Sequence, residues 1–319
     1  MPIVEHSFYK RPKWLFNSHL ETIYPAIFRK VELKSSEKER ILTTDGDFLD
    51  LEWYKQNSTK LVIISHGLEG NSSRAYMVGM AKIFFDNGVD VLTWNFRSCS
   101  EEMNSSLIFY HSGATYDLDV VVKHAENSYQ EINFIGFSLG GNLTLKYLGE
   151  KGASNSKIKK GVAISVPLHL SSSSKKISAL ENSLYSKRFL KTLKKKILQK
   201  SQAYPDQMKV DVLRKIKTLT EFDDFFTGPL HGFADAEEYY EENSALYFLE
   251  RIKVPVLILN AQNDPFLSHK CFPYQLAKKS NLVYVEFPNH GGHVGFTPHN
   301  FQNPYYSESR AVEFILRDI

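Results

Sequence analysis

The sequence predicts an α/β protein in which helices flank a mostly parallel sheet. Short apolar runs rich in valine and isoleucine alternate with segments of helical periodicity, and this alternation is typical of βαβ units. The alternation stops between residues 168 and 245, where the pattern is helical and polar, and then resumes. The chain has 319 residues, of which 42% are hydrophobic, so it can bury a large core.

The first half of the chain contains the clearest alternation. Residues 60–67 (KLVIISHG) predict a buried strand that ends at a glycine, and residues 89–96 (VDVLTWNF) predict the next strand. Between them, residues 74–88 predict a helix that ends at a glycine in the position a C-cap favours. The same reasoning predicts two further helices and two further strands, which are helix 114–129, strand 131–137, helix 139–151 and strand 159–167.

The alternation resumes near residue 254 with two more strands, 254–264 and 282–289, and with helices near 268–280 and 306–317. An insertion between two blocks of βα units is most simply placed over the carboxyl ends of the strands, where open α/β sheets bind ligands. We therefore predict a core made of residues 1–167 and 246–319. Residues 168–245 are predicted to form a helical cap inserted into it.

Composition excludes several classes of protein. Charged residues make up 24% of the chain and the net charge is +3, both ordinary for a globular protein. No apolar run approaches the ~20 residues of a membrane span, and the N-terminal residues have no apolar core of an export signal. Cys99 and Cys271 form no disulfide framework and no metal-binding spacing. We expect a cytoplasmic protein without a metal.

A serine stands between two glycines, directly after a predicted strand and directly before a predicted helix. Residues 136–140 (Gly-Phe-Ser-Leu-Gly) fit the pattern G-x-S-x-G in the strand–turn–helix context of a nucleophile elbow. Gly136 and Gly140 suit a sharp, strained turn because both flanks of the serine must be small. The simpler alternative is that Ser138 is only a turn residue. We predict that it is a nucleophile.

The partners that a serine nucleophile needs follow further along the chain. Its hydroxyl requires an adjacent base, itself oriented by an acid, and α/β-hydrolases carry these in the order serine, acid, histidine. Asp264 follows an apolar strand, and His293 lies in a glycine-rich loop after the next strand. His290 is an alternative base, although the flanking glycines favour His293. Asp223 and Asp224 follow no strand and are poor candidates for the acid.

Two backbone amides are predicted to stabilise the oxyanion of a tetrahedral intermediate. One belongs to Leu139, directly after the nucleophile. The other is assigned to Leu68, in the loop after the strand at 60–67, where Gly67 allows the chain to turn. His66 is the residue before that glycine, so we expect it to brace the loop and not to act as a base.

The chain resembles the YheT-like hydrolases, a branch of the α/β-hydrolases that includes bacterial esterases and eukaryotic lipid-acting members. The stretches that carry the resemblance extend over nearly the whole chain and are NSHLETIYP (17–25), DGDFLDLEW (45–53), HGLEG (66–70), NFRSCSEEMN (95–104), GFSLGGN (136–142), EFDDFFTGPLHGF (221–233), NAQNDPF (260–266) and GGHVGF (291–296).

The resemblance implies an α/β-hydrolase fold with a helical cap, and a triad of Ser138, Asp264 and His293. It also implies hydrolysis of carboxylic esters without a cofactor. Ser98 and Ser100 stand where relatives usually have glycines, so the conformation of that loop is left open. Eukaryotic members often carry an N-terminal membrane anchor, and we do not expect one here.

Positive charge is concentrated in one segment of the predicted cap. Residues 171–200 contain nine lysines and arginines, including Lys194, Lys195 and Lys196, against one acid, Glu181. One interpretation is an interfacial helix that contacts anionic lipid. The other, which we favour, is a cap helix whose apolar stripe packs on the core beneath a solvated basic face. Nucleic-acid binding is not expected, because the basic residues are confined to this segment without a nucleic-acid motif.

These observations together predict a serine hydrolase that cleaves carboxylic esters with a medium-chain or lipid-like acyl group. The partner is a small-molecule ester with an apolar acyl group. A thioesterase or an acyltransferase would use the same triad, and a binding protein on this fold is a further alternative. The order of serine, acid and histidine argues against the binding protein, since a receptor needs none of them.

Overall fold

The structure is a computed structural model that describes residues 3–5, 7–33 and 36–317. Within these residues a nine-stranded sheet lies at the centre of the molecule. The strands are β1 (Ile3–Val4), β2 (Glu37–Leu42), β3 (Phe48–Tyr54), β4 (Lys60–Ser65), β5 (Asp90–Asn95), β6 (Glu131–Phe137), β7 (Ile158–Ile164), β8 (Val256–Leu259) and β9 (Val283–Glu286).

The sheet is mostly parallel, which confirms the predicted fold class. Its strand order is β1-β9-β8-β7-β6-β4-β5-β3-β2, and neighbours from β1 to β5 in this order are parallel. Only β3 and β2, at one edge, pair in antiparallel fashion. Since β4 lies between β5 and β6, the direction of winding reverses there, and open α/β sheets bind ligands at such a point.

Helices cover both faces of the sheet. The predicted helix near 268–280 is interrupted at Pro273, which lacks a backbone donor, so a 3₁₀ turn precedes a short helix there. The helices are α1 (Ser18–Phe28), α2 (Ala75–Asp86), α3 (Thr115–Glu126), α4 (Leu139–Lys151), α5 (Leu170–Ser178), α6 (Ser183–Lys200), α7 (Leu219–Phe222), α8 (Gly228–Leu230), α9 (Ala236–Asn243), α10 (Tyr274–Lys279) and α11 (Tyr306–Leu316), with 3₁₀ helices at Leu180–Asn182, Val210–Arg214, Ala245–Arg251 and His269–Cys271 and a π-helix at Asp223–Thr227.

Alternating side chains of the central strands fill two apolar cores, one on each face of the sheet. In β4, Leu61 and Ile63 belong to one core, whereas Val62 and Ile64 belong to the other. Helices α3 and α4 complete the first core, and α2 and α11 complete the second. Strands buried on both faces have continuous apolar sequences. Their burial fixes the positions of the carboxyl ends of β4, β6 and β8.

Residues 168–245, the helical insertion, are all described and contain α5 to α9 without a strand. The apolar stripe of α6 packs into a cluster with other apolar residues of the insertion and with Leu68 and Phe109 of the core. This agrees with the interpretation of α6 as a packed helix. The division of the chain into a core and a cap stays a prediction.

The basic face of α6 is only partly solvated, and the expectation of a solvated face does not hold for Lys194, Lys196 and Lys200. Lys200 is buried, and its Nζ donates hydrogen bonds at 2.6 Å to the carbonyl oxygens of Asn104 and Ser106. Burial lowers the pKa of Lys200 to about 8. Lys196 also turns inward, toward Glu69. The lysines and the arginine that stay exposed on this helix are Lys187, Arg188, Lys191 and Lys195.

Candidate active site

Ser138 lies on the sharp turn between β6 and α4, at the carboxyl end of the sheet. Its backbone has φ 52° and ψ −117°, a conformation that a residue with a side chain rarely adopts. A methyl group on Gly140 would lie 2.4 Å from the carbonyl oxygen of His66, and one on Gly136 would lie 2.4 Å from that of Gly140. Both flanking positions therefore require glycine, and the turn holds Ser138 out of the sheet.

The structure brings Ser138, His293 and Asp264 into one hydrogen-bonded line. Ser138 Oγ lies 3.0 Å from His293 Nε2, and His293 Nδ1 lies 2.9 Å and 3.1 Å from the two carboxylate oxygens of Asp264. An ionised carboxylate only accepts hydrogen bonds, so Nδ1 carries a proton. The neutral imidazole then presents an unprotonated Nε2 to the Ser138 hydroxyl, as a base must.

The loop that carries His293 is held by the N-terminal helix α1. Glu21 Oε2 accepts a hydrogen bond from Gly291 N at 2.5 Å, and Thr22 Oγ1 accepts one from His293 N at 2.9 Å. Ser165 Oγ, after β7, accepts one from Val294 N at 2.9 Å. The sequence analysis assigned no role to Glu21 or Thr22. Both lie within NSHLETIYP (17–25), a stretch that carries the resemblance, and that signal could have identified them.

The other candidates of the sequence analysis lie away from this line. His290 is 45% exposed, and its Nδ1 lies 3.9 Å from Glu21 Oε1. Asp224 accepts a hydrogen bond from Ala236 N in the helical insertion. Asp223 accepts hydrogen bonds at 2.6 Å from Tyr240 and Thr227, and burial raises its pKa to about 6. None of the three is bonded to His293.

His66 braces the loop after β4, as expected. Its ring is fully buried, with Nδ1 2.8 Å from the carbonyl oxygen of Gly67 and Nε2 3.1 Å from the backbone amide of Phe96. Since the amide donates to Nε2, the proton of the neutral ring is on Nδ1 and is donated to Gly67. Burial lowers the pKa of His66 to about 3, so the ring stays neutral.

The amides of Leu68 and Leu139 border the same space as Ser138. Leu139 is the first residue of α4, where the positive end of the helix dipole lies. The loop of Leu68 lies against the elbow, since a methyl group on Gly67 would be 3.2 Å from Ser138 Cβ. Across the described ranges neither amide donates a hydrogen bond to another protein group. Their assignment as oxyanion donors stays a prediction.

A buried ion pair ties the Leu68 loop to α6. Lys196 Nζ lies 2.6 Å from Glu69 Oε1, and the two side chains are 17% and 8% exposed. Tyr110 donates to the same carboxylate oxygen at 2.8 Å and accepts from Glu69 N at 2.9 Å. Burial opposes the charge of Lys196, but Cys99 and Glu69 outweigh it and raise its pKa. The helical insertion thus contacts the residue next to the predicted oxyanion donor.

Two cavities meet at Ser138 and Leu68. The first has a volume of about 110 Å³ and is bordered largely by the helical insertion, and all the residues that line it are buried or half-buried. Most of its wall is apolar, with Ile197, Phe222 and Phe226 among its residues. Asp223 is the carboxyl group in this wall.

The second cavity has a volume of about 390 Å³ and reaches the surface. It lies between α1 and the first half of α6, and its wall contains His293 as well as Ser138. Exposed residues on its rim include Ile27, Leu184 and Arg188. Ser138 is therefore reached from the outside by this cavity and from the inside by the first.

The described part of the chain contains no candidate metal site and no candidate membrane span. No cluster of three or more histidine, cysteine or acidic side chains there could hold a metal ion. No helix there combines the length and apolarity needed to cross a bilayer. Cys99 and Cys271 are buried and unpaired.

Comparison with known proteins agrees with this geometry. Residues 60–299 match the family described as "alpha/beta hydrolase fold". The chain belongs to the α/β-hydrolases and is of the esterase and lipase type. Within that class it is similar to the Escherichia coli protein named "Putative esterase YheT", with 32% identity over 94% of this chain and 90% of that protein. The YheT-like assignment is thereby confirmed.

More distant relatives and solved structures point to the same class. Bovine phospholipase ABHD3 is 27% identical over 92% of this chain and 74% of its own length, and monoacylglycerol lipase of Saccharomyces cerevisiae is 27% identical over 88% and 67%. A Pyrococcus furiosus esterase has the same fold, with a TM-score of 0.60 and 19% identity over 91% of this chain and 96% of that structure.

Proposed function

We propose that this protein is a serine hydrolase that cleaves carboxylic esters with an apolar acyl group through an acyl-enzyme on Ser138. The observation that carries the proposal is the hydrogen-bonded line from Ser138 Oγ through His293 to Asp264. It ends at an apolar cavity on one side and a cavity open to the surface on the other.

In the first half of the reaction, His293 Nε2 takes the proton from Ser138 Oγ as the oxygen attacks the ester carbonyl carbon. The new C–O bond moves the carbonyl π electrons onto oxygen, and the amides of Leu68 and Leu139 stabilise that oxyanion. Asp264 keeps the imidazole in the required tautomer and stabilises the imidazolium. When the tetrahedral intermediate collapses, the ester C–O bond breaks and Nε2 protonates the leaving alkoxide.

The second half repeats these steps with water. His293 Nε2 removes a proton from a water molecule, whose oxygen attacks the acyl carbon of the acyl-enzyme. The oxyanion forms again between the two amides. Its collapse breaks the bond to Ser138 Oγ, which recovers its proton from Nε2, and the carboxylic acid is released. No cofactor takes part in this scheme.

The two cavities suggest where each half of the ester binds. The first cavity, bordered by the helical insertion, is largely apolar, so it suits the acyl chain. The cavity between α1 and α6 reaches solvent and suits the leaving alcohol, which must depart before water enters. A substrate bound this way would place its carbonyl carbon at Ser138, where both cavities meet. The proposed substrates are esters with a medium-chain or lipid-like acyl group.

The experiment that tests this proposal is labelling with a fluorophosphonate, followed by intact mass. The expected result is one adduct per chain, lost in Ser138→Ala, together with hydrolysis of p-nitrophenyl esters that falls by about 10⁶ in that variant. A thioester with the same acyl group, assayed in parallel, distinguishes an esterase from a thioesterase. A folded protein that is not labelled and hydrolyses no ester from acetate to palmitate would contradict the proposal.

A further inference from the structure

Large apolar side chains are exposed on α1, at the start of α6 and in two loops beside α1. Trp14, Ile27, Phe28, Leu184 and Phe301, the entrance patch, are each between 45% and 67% exposed. Isolated exposed apolar residues are ordinary in proteins, but a contiguous group around an opening marks an interaction site.

The members of the entrance patch are neighbours. The ring of Tyr24 on α1 lies 4.5 Å from Trp14, 5.0 Å from Phe28 and 5.9 Å from Phe301, measured between ring centroids. The remaining two members, Ile27 on α1 and Leu184 on α6, line the cavity itself. His19 Nδ1 lies 3.1 Å from the hydroxyl of Tyr185, which joins α1 to the start of α6. Helix α1 therefore links the aromatic cluster to the rim of the cavity, while Trp14 and Phe301 lie in loops and Leu184 lies on α6.

Exposed cations surround this surface. On α6, Lys187, Arg188 and Lys191 follow Leu184 at the spacings of three, four and seven residues that place side chains on one face of a helix. Lys13 precedes Trp14, and Lys30 follows α1 closely, and both are exposed. Apolar and aromatic side chains bordered by lysine and arginine are typical of surfaces that insert shallowly into a bilayer bearing anionic lipid.

We propose that the entrance patch docks this protein on an anionic phospholipid bilayer and turns the second cavity toward it. The apolar side chains enter the level of the lipid headgroups, and the cations of α6 lie against the anionic headgroups. A substrate then passes from the bilayer through the second cavity to Ser138. Only this last step rests on the proposed function. The docking itself needs no catalysis, and it differs from contact through the inward-facing Lys196 and Lys200.

The test uses the full chain with Ser138→Ala, so that loss of hydrolysis does not affect the result. Sedimentation is measured with vesicles of phosphatidylcholine alone and with 30% phosphatidylglycerol at low ionic strength. We expect binding to the anionic vesicles that weakens as salt rises, because salt screens the charges. Lys187→Gln with Lys191→Gln should lower the partition coefficient by roughly twenty-five-fold, since each basic residue near the surface contributes about fivefold.

Phe28→Ala with Phe301→Ala should lower it on the order of tenfold through loss of apolar burial. Matched controls are Leu42→Ala, an exposed leucine on the edge strand β2, and Lys278→Gln with Lys279→Gln after β8; these should bind as the parent does. Binding that is absent at low salt, or that is unchanged in both the double-lysine variant and the double-phenylalanine variant, would overturn the proposal. A stable dimer that dissociates in the variant Phe28→Ala with Phe301→Ala would also overturn it, because the patch would then be an interface with a second copy of the chain.

Discussion

Replacing Lys196 with methionine should destabilise the fold, because it leaves a buried carboxylate without its partner. Lys196 Nζ is 2.6 Å from Glu69 Oε1, and neither side chain is more than 17% exposed. Removing one partner of a buried ion pair costs about 3–5 kcal/mol. Because both side chains keep some exposure, and Tyr110 still donates to the carboxylate, we expect the free energy of unfolding to fall by an amount near the lower end of that range.

The same substitution should slow catalysis, because Glu69 follows Leu68 in the loop that offers an oxyanion donor. Loss of one such donor typically costs ~10²–10³ in kcat. Tyr110 still holds Glu69 N at 2.9 Å, so the loop is only partly released and we expect kcat to fall about tenfold. KM for a short ester should change little, since the donor acts on the oxyanion that forms during the reaction.

The measurements are urea unfolding and steady-state hydrolysis of p-nitrophenyl acetate. Lys195→Met is the matched control, because Lys195 is the preceding residue on the same helix and is exposed; it should leave both quantities unchanged. Lys196→Arg should restore most of kcat, since it keeps the charge. A variant Lys196→Met that is destabilised but retains parental kcat would refute a positioning role for the ion pair, and parental stability would refute the energetic reasoning.

Two further predictions concern carboxyl groups. Asp264→Asn should lower kcat by ~10⁴ and leave the free energy of unfolding unchanged. The reason is that an amide can donate to His293 Nδ1, which leaves the proton on Nε2, where Ser138 needs a base. An unaltered rate of fluorophosphonate labelling would speak against this. Burial raises the pKa of Asp223 from 3.8 to about 6, so ionising this carboxyl costs stability in the folded state, and the cost grows as pH rises through the interval between those values. Denaturant unfolding should therefore show that Asp223→Asn raises the free energy of unfolding, relative to that of the parent, by roughly 2 kcal/mol more at pH 7 than at pH 4. An equal difference between the two proteins at both pH values would contradict the burial of the Asp223 charge.

Local sequence was sufficient for β4 to β9, which the apolar runs predict, and insufficient for β1 and for the antiparallel edge. Strands such as β4 and β8 are buried on both faces and therefore appear as continuous apolar runs. In β2, with the sequence EKERIL, only Ile41 is buried, because the strand lies at an edge. Its charged residues resemble those of a loop, and charged edges are a common protection against aggregation. The sequence pattern therefore predicts neither β2 nor its partner β3.

The site shows the same distinction between features that local sequence marks and contacts that depend on distant residues. Ser138, Asp264 and His293 each lie at or shortly after the carboxyl end of a predicted strand, and parallel strands bring such positions to one edge. The conformation of the Ser98 loop was left open by the sequence, and in the structure Ser98 has φ 61°, in the left-handed region that favours glycine. By contrast, Glu21 and Gly291 are 270 residues apart, and Lys196 and Glu69 are 127 apart. No local pattern marks either pair, because each depends on the packed positions of distant elements.

The contact between Glu21 and the loop of His293 has a consequence for the order in which the protein becomes active. During synthesis α1 leaves the ribosome well before Gly291, which lies 270 residues after Glu21. A nascent chain that already contains α1 and Ser138 therefore still lacks His293, the proposed base. Long-range contacts of this kind also form late in refolding, since the chain must first close a large loop. Hydrolytic activity should thus appear only after α1 has packed against the loop of His293.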